Sequence, residues 1–155
     1  MKQYILDLSL IGTIIRRRIS ISGEVSFEKV HNIIQTIFGW GNEHLHKFVV
    51  GDLEIGDYAE EDSLPDNYSY EGDVCLEAVL ENIPEIYYEY DFGDNWRVLI
   101  KVEDTKEVSE NREVKVLEAV GGMAQENCGG VSGLKVNETV EMGVSILNDL
   151  LQRLK

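Results

Sequence analysis

His44 and His46 stand two residues apart in the run His44-Leu45-His46-Lys47-Phe48. On a strand, that spacing puts both imidazoles on one face, and paired imidazoles suit a divalent metal. Carboxylates that could complete a ligand set lie at Asp91 and Asp94, on either side of Phe92-Gly93. The metal set read from the sequence is therefore His44, His46 and Asp91, with Asp94, Glu126 and Cys128 as further candidate ligands. A divalent metal is the cofactor such a set would hold. Two close carboxylates can also split their pKa values and do acid–base work. The plainer account is architectural: histidines hydrogen-bonded to acidic neighbours, and aspartates accepting from the amides of a tight turn. For Asp91 and Asp94 the turn role is the stronger reading, and Trp96 and Phe92 read as core rather than a ligand cage.

Arg16, Arg17 and Arg18 form the one basic cluster. On a strand the middle side chain opposes its neighbours, so Arg17 is expected to enter the interior and pair with a carboxylate while Arg16 and Arg18 face solvent. A nucleic-acid strip would want more cations with aromatics between them. Gly129-Gly130 and Gly133 could cradle a phosphate through backbone amides. No Lys-Ser/Thr pair follows them, so a turn is the better account. Cys128 has no histidine near in sequence to activate it and reads as a buried thiol. With Cys75 it cannot complete a four-ligand zinc site, and no Cys-x-x-Cys pair occurs.

These residues need elements to position them. Tyr4 to Leu10 alternates as a strand, and after Gly12-Thr13 a second strand is expected over Ile14 to Ile21. Ser26 is a fitting N-cap for a helix carrying Phe27, Val30, Ile33, Ile34, Ile37 and Phe38 at helical spacing, stopped by Gly39. His44 to Val50 and Leu53 to Ile55 read as a hairpin about Gly51-Asp52. Gly56 to Asp73 reads as a loop, followed by a short helix at about Val74 to Leu80 that Asp73 could cap. Ile86 to Asp91 and Trp96 to Val102 form the strongest hairpin signal, joined by Phe92-Gly93-Asp94-Asn95. A loop over Asp104 to Asn111 and a strand over Val114 to Ala119 come next. Gly121 to Gly133 holds five glycines and is expected to be irregular. Asn137 could cap a last helix whose apolar face is Val140, Val144, Leu147, Leu151 and Leu154. Hairpins rather than βαβ units imply an α+β fold with a mainly antiparallel sheet, one helix in the N-terminal half and a C-terminal helix packed on it.

The chain of 155 residues reads as a single domain, 1–155, able to bury a core without staples. Its acidity is regional: between Phe48 and Trp96 there are 15 acidic residues and no Lys or Arg, out of totals of 29 acidic and 14 basic. Such a region repels phosphate backbones and attracts cations or basic partners, which argues against direct nucleic-acid binding. No apolar run is long enough for a membrane span, and Met1 to Ile11, broken by Asp7, lacks the apolar stretch of a signal peptide. A cytoplasmic location is the expectation.

Three segments together carry a family resemblance. They are Ile15-Arg16-Arg17-Arg18-Ile19 with the Ser26 helix and Gly39-Trp40, then His44 to Phe48, then Tyr88-Glu89-Tyr90-Asp91-Phe92-Gly93-Asp94-Asn95-Trp96. In this order and spacing the chain resembles the plasmid pRiA4b ORF-3-like family, also labelled TnpR-like passenger proteins of insertion elements, from Tyr4 to Leu134. The resemblance implies a compact α+β fold and no defined activity. Two departures stand out. Arg16 replaces the family's usual Trp. Met123-Ala124-Gln125-Glu126-Asn127-Cys128-Gly129-Gly130 keeps only the second cysteine of the family's Cys-Pro-Pro-Glu-Asp-Cys-Gly-Gly. A site needing both thiols is not expected here. Recombinase chemistry is not expected either, since Ser20 and Ser22 lack an activator and no His-x-x-Arg element occurs.

The expected function is a non-enzymatic binding or accessory module with a fixed polar centre, its binding set being His44, His46, Asp91, Asp94, Trp96 and Arg17. The partner would be a protein or a small ligand. The alternative is a metal-dependent hydrolase at the same centre, and the weaker one a DNA-associated factor of a mobile element. Satisfied polar groups would favour the module, and a concave pocket with an open metal position the hydrolase.

Overall fold

A computed structural model of the chain describes residues 1–58, 66–134 and 143–154. In chain order the elements are β1 (Lys2–Leu10), β2 (Arg16–Ser22), α1 (Phe27–Phe38), β3 (His46–Val50), β4 (Leu53–Gly56), β5 (Tyr68–Tyr70), α2 (Leu76–Leu80), β6 (Glu85–Tyr90), β7 (Trp96–Glu107), β8 (Lys115–Val120) and α3 (Val144–Gln152). Among the described residues, eight strands form one sheet in the order β5-β4-β3-β6-β7-β1-β2-β8. All neighbours are antiparallel except the parallel pair β4–β5. The α+β class expected from the hairpin pattern is therefore what the chain adopts.

Strand alternation makes the core. Tyr4, Leu6, Leu8 and Leu10 of β1 are buried, as are Ile86, Tyr88 and Tyr90 of β6 and Trp96, Val98 and Ile100 of β7. α1 lays Phe27, Ile33, Ile34, Ile37 and Phe38 into the same core, all fully buried. Each such side chain stabilises the fold by about 1.5–3 kcal/mol. The helix begins where expected: the Ser26 hydroxyl accepts from the Lys29 amide, and Gly39 closes it in the left-handed region at φ 85°. The Gly51-Asp52 hairpin is also present, with Val50 opposite Leu53.

The structure corrects several boundaries. β7 runs through the expected loop after Asp104, because Lys2 to Ile5 of β1 offers its far half a partner; a bulge beside Leu6 leaves Glu103 out of the pairing. The expected loop Gly56 to Asp73 contains β5 and a 3₁₀ turn at Glu71–Asp73, held by pairing to β4 and not by apolar pattern; Pro65 lies outside the described residues. The N-cap of α2 is Cys75 and not Asp73, and its side chain makes no capping bond. β3 starts at His46, so His44 precedes the strand. In α3, Leu147 and Leu151 are buried while Leu154 is exposed beyond its end; Asn137 and Val140 lie outside the described residues. Asn148 of α3 completes the edge strand β8: its Oδ1 accepts from the Val116 amide at 2.8 Å and its Nδ2 donates to the Val116 carbonyl at 3.1 Å.

Candidate functional site

Asp91 closes β6 with φ 58°, and Asn95 opens β7 with φ 57°, so the hairpin turn is Asp91 to Asn95. Both residue types tolerate this left-handed backbone. Asp91 is buried, and its Oδ1 accepts from the amides of Gly93 and Asp94 at 3.2 and 3.3 Å. Its own amide donates to the Leu45 carbonyl at 2.9 Å, which ties the turn to the chain entering β3. This is the turn role expected for Asp91. Asp94 reaches the other way: its Oδ2 accepts from the Gly129 amide at 3.3 Å, so that amide is spent on a protein carboxylate and not on a phosphate. Cys128 sits beside Asp94, and burial together with that carboxylate pushes its thiol up, away from a reactive thiolate.

His44 faces this turn. Its Nε2 lies 3.5 Å from Asp91 Oδ2 and 2.8 Å from Asn127 Oδ1. The Asn127 amide is oriented by its other end, where Nδ2 donates to Glu43 Oε2 at 3.3 Å. His44 therefore carries its proton on Nε2, and Nδ1 is its basic nitrogen. Glu126 is held from two sides, accepting from the Gly41 amide at 2.8 Å and from the Tyr90 hydroxyl. Tyr90 in turn accepts from the Glu43 amide at 2.9 Å; burial, then its bond to Glu126, raises its pKa, so it remains a donor. Among the described residues, Glu43, His44 and Glu126 form the one group whose metal-ligating atoms all lie within 4.8 Å of one another.

His46 is not part of that group. The structure separates the two histidines that their spacing had joined, because His46 points under α1. Its ring stacks on His31 with centroids 3.4 Å apart and 8° between planes, and its Nε2 lies 2.6 Å from Glu71 Oε1. His31 joins a chain of bonds: Nδ1 is 2.7 Å from the Tyr88 hydroxyl and Nε2 is 2.9 Å from Asn42 Oδ1. Gln35 donates to the same hydroxyl at 2.9 Å and accepts from the Asn42 amide at 2.7 Å. One assignment satisfies all of them: His31 donates from Nε2 to Asn42 and accepts at Nδ1 from Tyr88. That makes His31 neutral, in accord with burial, then the neighbouring His46, pushing its pKa down to about 4. The metal set His44, His46 and Asp91 thus does not converge. No period or motif marks Glu71, and His31 is marked only as part of the Ser26 helix.

Arg17 is fully buried, but among the described residues no carboxylate meets it. Its guanidinium donates to five carbonyls: Ile37 at 2.9 Å, Arg16 at 3.0 Å, Val120 at 2.8 Å, Gly121 at 3.1 Å and Gly122 at 2.8 Å. Ile37 lies in the last turn of α1, where the helix dipole is negative. Burial lowers the Arg17 pKa to about 10, which leaves it charged at neutral pH. Arg16 pairs with Asp7 and Glu103, and Arg18 with Glu103 at 2.5 Å, so the basic cluster is occupied by the protein's own groups. Trp96 is core as expected, packed near Trp40, whereas Phe92 is exposed at the turn with Lys47 over its ring.

The segments His44 to Phe48, Tyr88 to Trp96 and Met123 to Gly130 thus meet around Tyr90, Asp91 and Glu126. The uncharacterized protein y4hQ of Sinorhizobium fredii is 30% identical over 135 residues, covering 83% of this chain; the chain spans 66% of that relative's length. The crystal structure of the protein of unknown function MM3350 from Methanosarcina mazei Go1 is 31% identical, with a TM-score of 0.71 over 85% of this chain and 76% of that one. Residues 2–142 match the model of the plasmid pRiA4b ORF-3-like protein, and the chain belongs to that family.

Proposed function

We propose that the chain is a non-enzymatic binding module of the cytosol whose polar centre takes one divalent cation at Glu43, His44 and Glu126. The observation that carries this reading is the approach of one imidazole and two carboxylates to within 4.8 Å of one another. A mixed nitrogen and oxygen set of this kind suits zinc or manganese. The groups behind it are already satisfied: Tyr90 and the Gly41 amide hold Glu126, and turn amides hold Asp91. Such a centre favours binding over turnover. Its ligands come from two distant segments, so the ion would fasten Glu126 and its neighbours onto the α1–β3 connection. Cys75 and Cys128 are free thiols, which suits a reducing compartment.

The test is metal content of the purified, tag-free protein, followed by calorimetric titration of the chelated protein with zinc and with manganese. One equivalent of binding that disappears in the His44→Ala/Glu126→Gln double variant supports the reading. Equal affinity in parent and double variant refutes it. A metal-dependent hydrolase at the same centre is the second reading, favoured by the exposure of Glu43, which leaves the ion's outer side open to a substrate. Metal-dependent cleavage of an activated phosphate ester, abolished by Glu126→Gln, would establish turnover in its place.

A further inference from the structure

The β8 end of the sheet carries a cleft on the face turned away from α1. Its volume is about 360 Å³, and it is lined by Gln3 of β1, Ser20 of β2, Lys115 and Leu117 of β8, and Arg112 and Glu113 just before β8. Strand register builds the floor. Ser20 stands between Ile5 of β1 and Lys115 of β8. Gln3, Ser20 and Lys115 therefore project to one side, while Tyr4, Ile19 and Val116 of the same strands enter the core. The volume lies within the range of small-molecule sites and far exceeds the roughly 30 Å³ of one water.

Gln3 points to a ligand. It is only 3% exposed, and its Nε2 donates to the Ser20 hydroxyl at 2.9 Å. Its Oε1 is buried without a hydrogen-bond partner among the described residues. Turning the carboxamide over does not cure this: Ser20 would then donate to Oε1, and Nε2 would become the bare atom. Buried polar atoms are nearly always bonded, so an orphan in a cleft wall marks where a further polar group belongs. The last torsion of a glutamine is broad, which lets the bare atom swing toward the cleft at little cost.

The rim supplies charge. Among the described residues neither Arg112 nor Lys115 forms an ion pair, in a chain with 29 acidic residues to 14 basic. We infer that this cleft binds a small hydroxylated carboxylate, of the hydroxy-acid or sugar-acid type. The Arg112 guanidinium and the Lys115 ammonium take the carboxylate through charge-assisted bonds. A hydroxyl both donates and accepts, so it satisfies the Gln3 carboxamide in either orientation, and Ser20 offers a second polar contact. Glu113 on the same rim repels a doubly charged phosphate ester. Leu117 gives the carbon skeleton an apolar wall.

The site shares no residue with the Glu43, His44 and Glu126 centre, so its outcome is separate from that of metal binding. The test is NMR titration of the ¹⁵N-labelled full chain with gluconate, with hexanoate, which keeps the carboxylate and chain length but has no hydroxyl, and with glucose 6-phosphate. The expected result is saturable amide shifts around Gln3, Ser20 and Lys115 with gluconate, and binding about tenfold or more weaker with hexanoate. Gln3→Met should weaken gluconate binding toward the hexanoate value. Because Gln3 is buried, the exposed Arg112→Ala and Lys115→Ala changes provide a second readout and together should weaken gluconate by about tenfold or more. Four results would overturn the inference: no saturable shift with gluconate, equal affinity for hexanoate, tighter binding of glucose 6-phosphate, or unchanged gluconate affinity in the Arg112→Ala/Lys115→Ala double variant.

Discussion

The stacked histidines make stability below neutral pH depend on His31. In the folded chain its pKa lies at about 4, against 6.5 for an unperturbed histidine, chiefly because it is buried and then because His46 stacks on it. Above pH 6.5 the unfolded and folded forms are both neutral here, and stability is at its full value. Between pH 6.5 and about 4 the unfolded chain binds a proton that the folded chain refuses, so stability falls with falling pH. Below the folded value both forms are protonated and the loss is complete. At about 1.4 kcal/mol per tenfold change in proton affinity, the difference between 6.5 and 4 amounts to about 3 kcal/mol. That is a large part of the 5–15 kcal/mol typical of a domain.

Urea unfolding from about pH 7.5 to about pH 4.5 reads this loss directly. His46, Glu71 and Asp57 line the same region, so the diagnostic quantity is the difference in slope between parent and variant. His31→Phe keeps a ring to stack on His46 but cannot take a proton. It should lower stability at neutral pH, because Tyr88 and Asn42 lose their partner, while flattening the decline between pH 6.5 and 4.5. If parent and variant decline in parallel over that range, His31 is not the group that titrates, and the neutral bonding pattern assigned to it is wrong.

Two further perturbations probe the frame. Arg17→Met leaves several buried carbonyls unmatched and should cost about 3–5 kcal/mol in chemical denaturation, with Arg17→Lys losing less because the charge remains; a Met variant within about 1 kcal/mol of the parent would show that the carbonyls find other donors. Gly130 combines φ 72° with a position where a Cβ would collide with the Asp94 carbonyl, whereas Gly51 has φ 59° and open space around it. Gly130→Ala should therefore be destabilising by more than about 2 kcal/mol and Gly51→Ala by about 1 kcal/mol, and equal losses in thermal melts would remove the packing argument.

Most of the fold was legible because its signals are local. Alternation in Tyr4 to Leu10 and Trp96 to Val102, the Ser26 cap and the Gly39 stop each act within a few residues, and each appears where the sequence put it. The errors fall where pairing overrides pattern. Asp104 to Glu107 has little apolar character, yet β1 is long enough to hold it as strand. Tyr68 to Tyr70 is too short to show a period, and only β4 makes it a strand. Arg17 was placed correctly inside by strand parity, but its partners are carbonyls of the α1 terminus and the segment after β8, which no spacing rule could join to it.

The site was half legible for a related reason. Asp91, His44 and Glu126 were visible because the turn and the family segments mark them. The pairing of His44 with His46 failed because parity describes a side chain's direction, and only while the chain is a strand. With β3 beginning at His46, each ring is free to choose by what lies above it. For His46 that is His31 of α1 and Glu71, 25 residues away in sequence; for His44 it is Asn127, 83 residues away. These contacts follow from how α1 and the Glu126 segment dock on the sheet. Asn42 and Glu43 are adjacent in the connection from α1 to β3, yet Asn42 bonds to His31 and Gln35 while Glu43 meets Tyr90 and Asn127. The left-handed turn at Asn42, φ 56°, lets two successive residues serve two separate networks. Substituting a β-branched residue at Asn42 would disturb both networks at once, whereas substituting Glu126 should disturb only the His44 side.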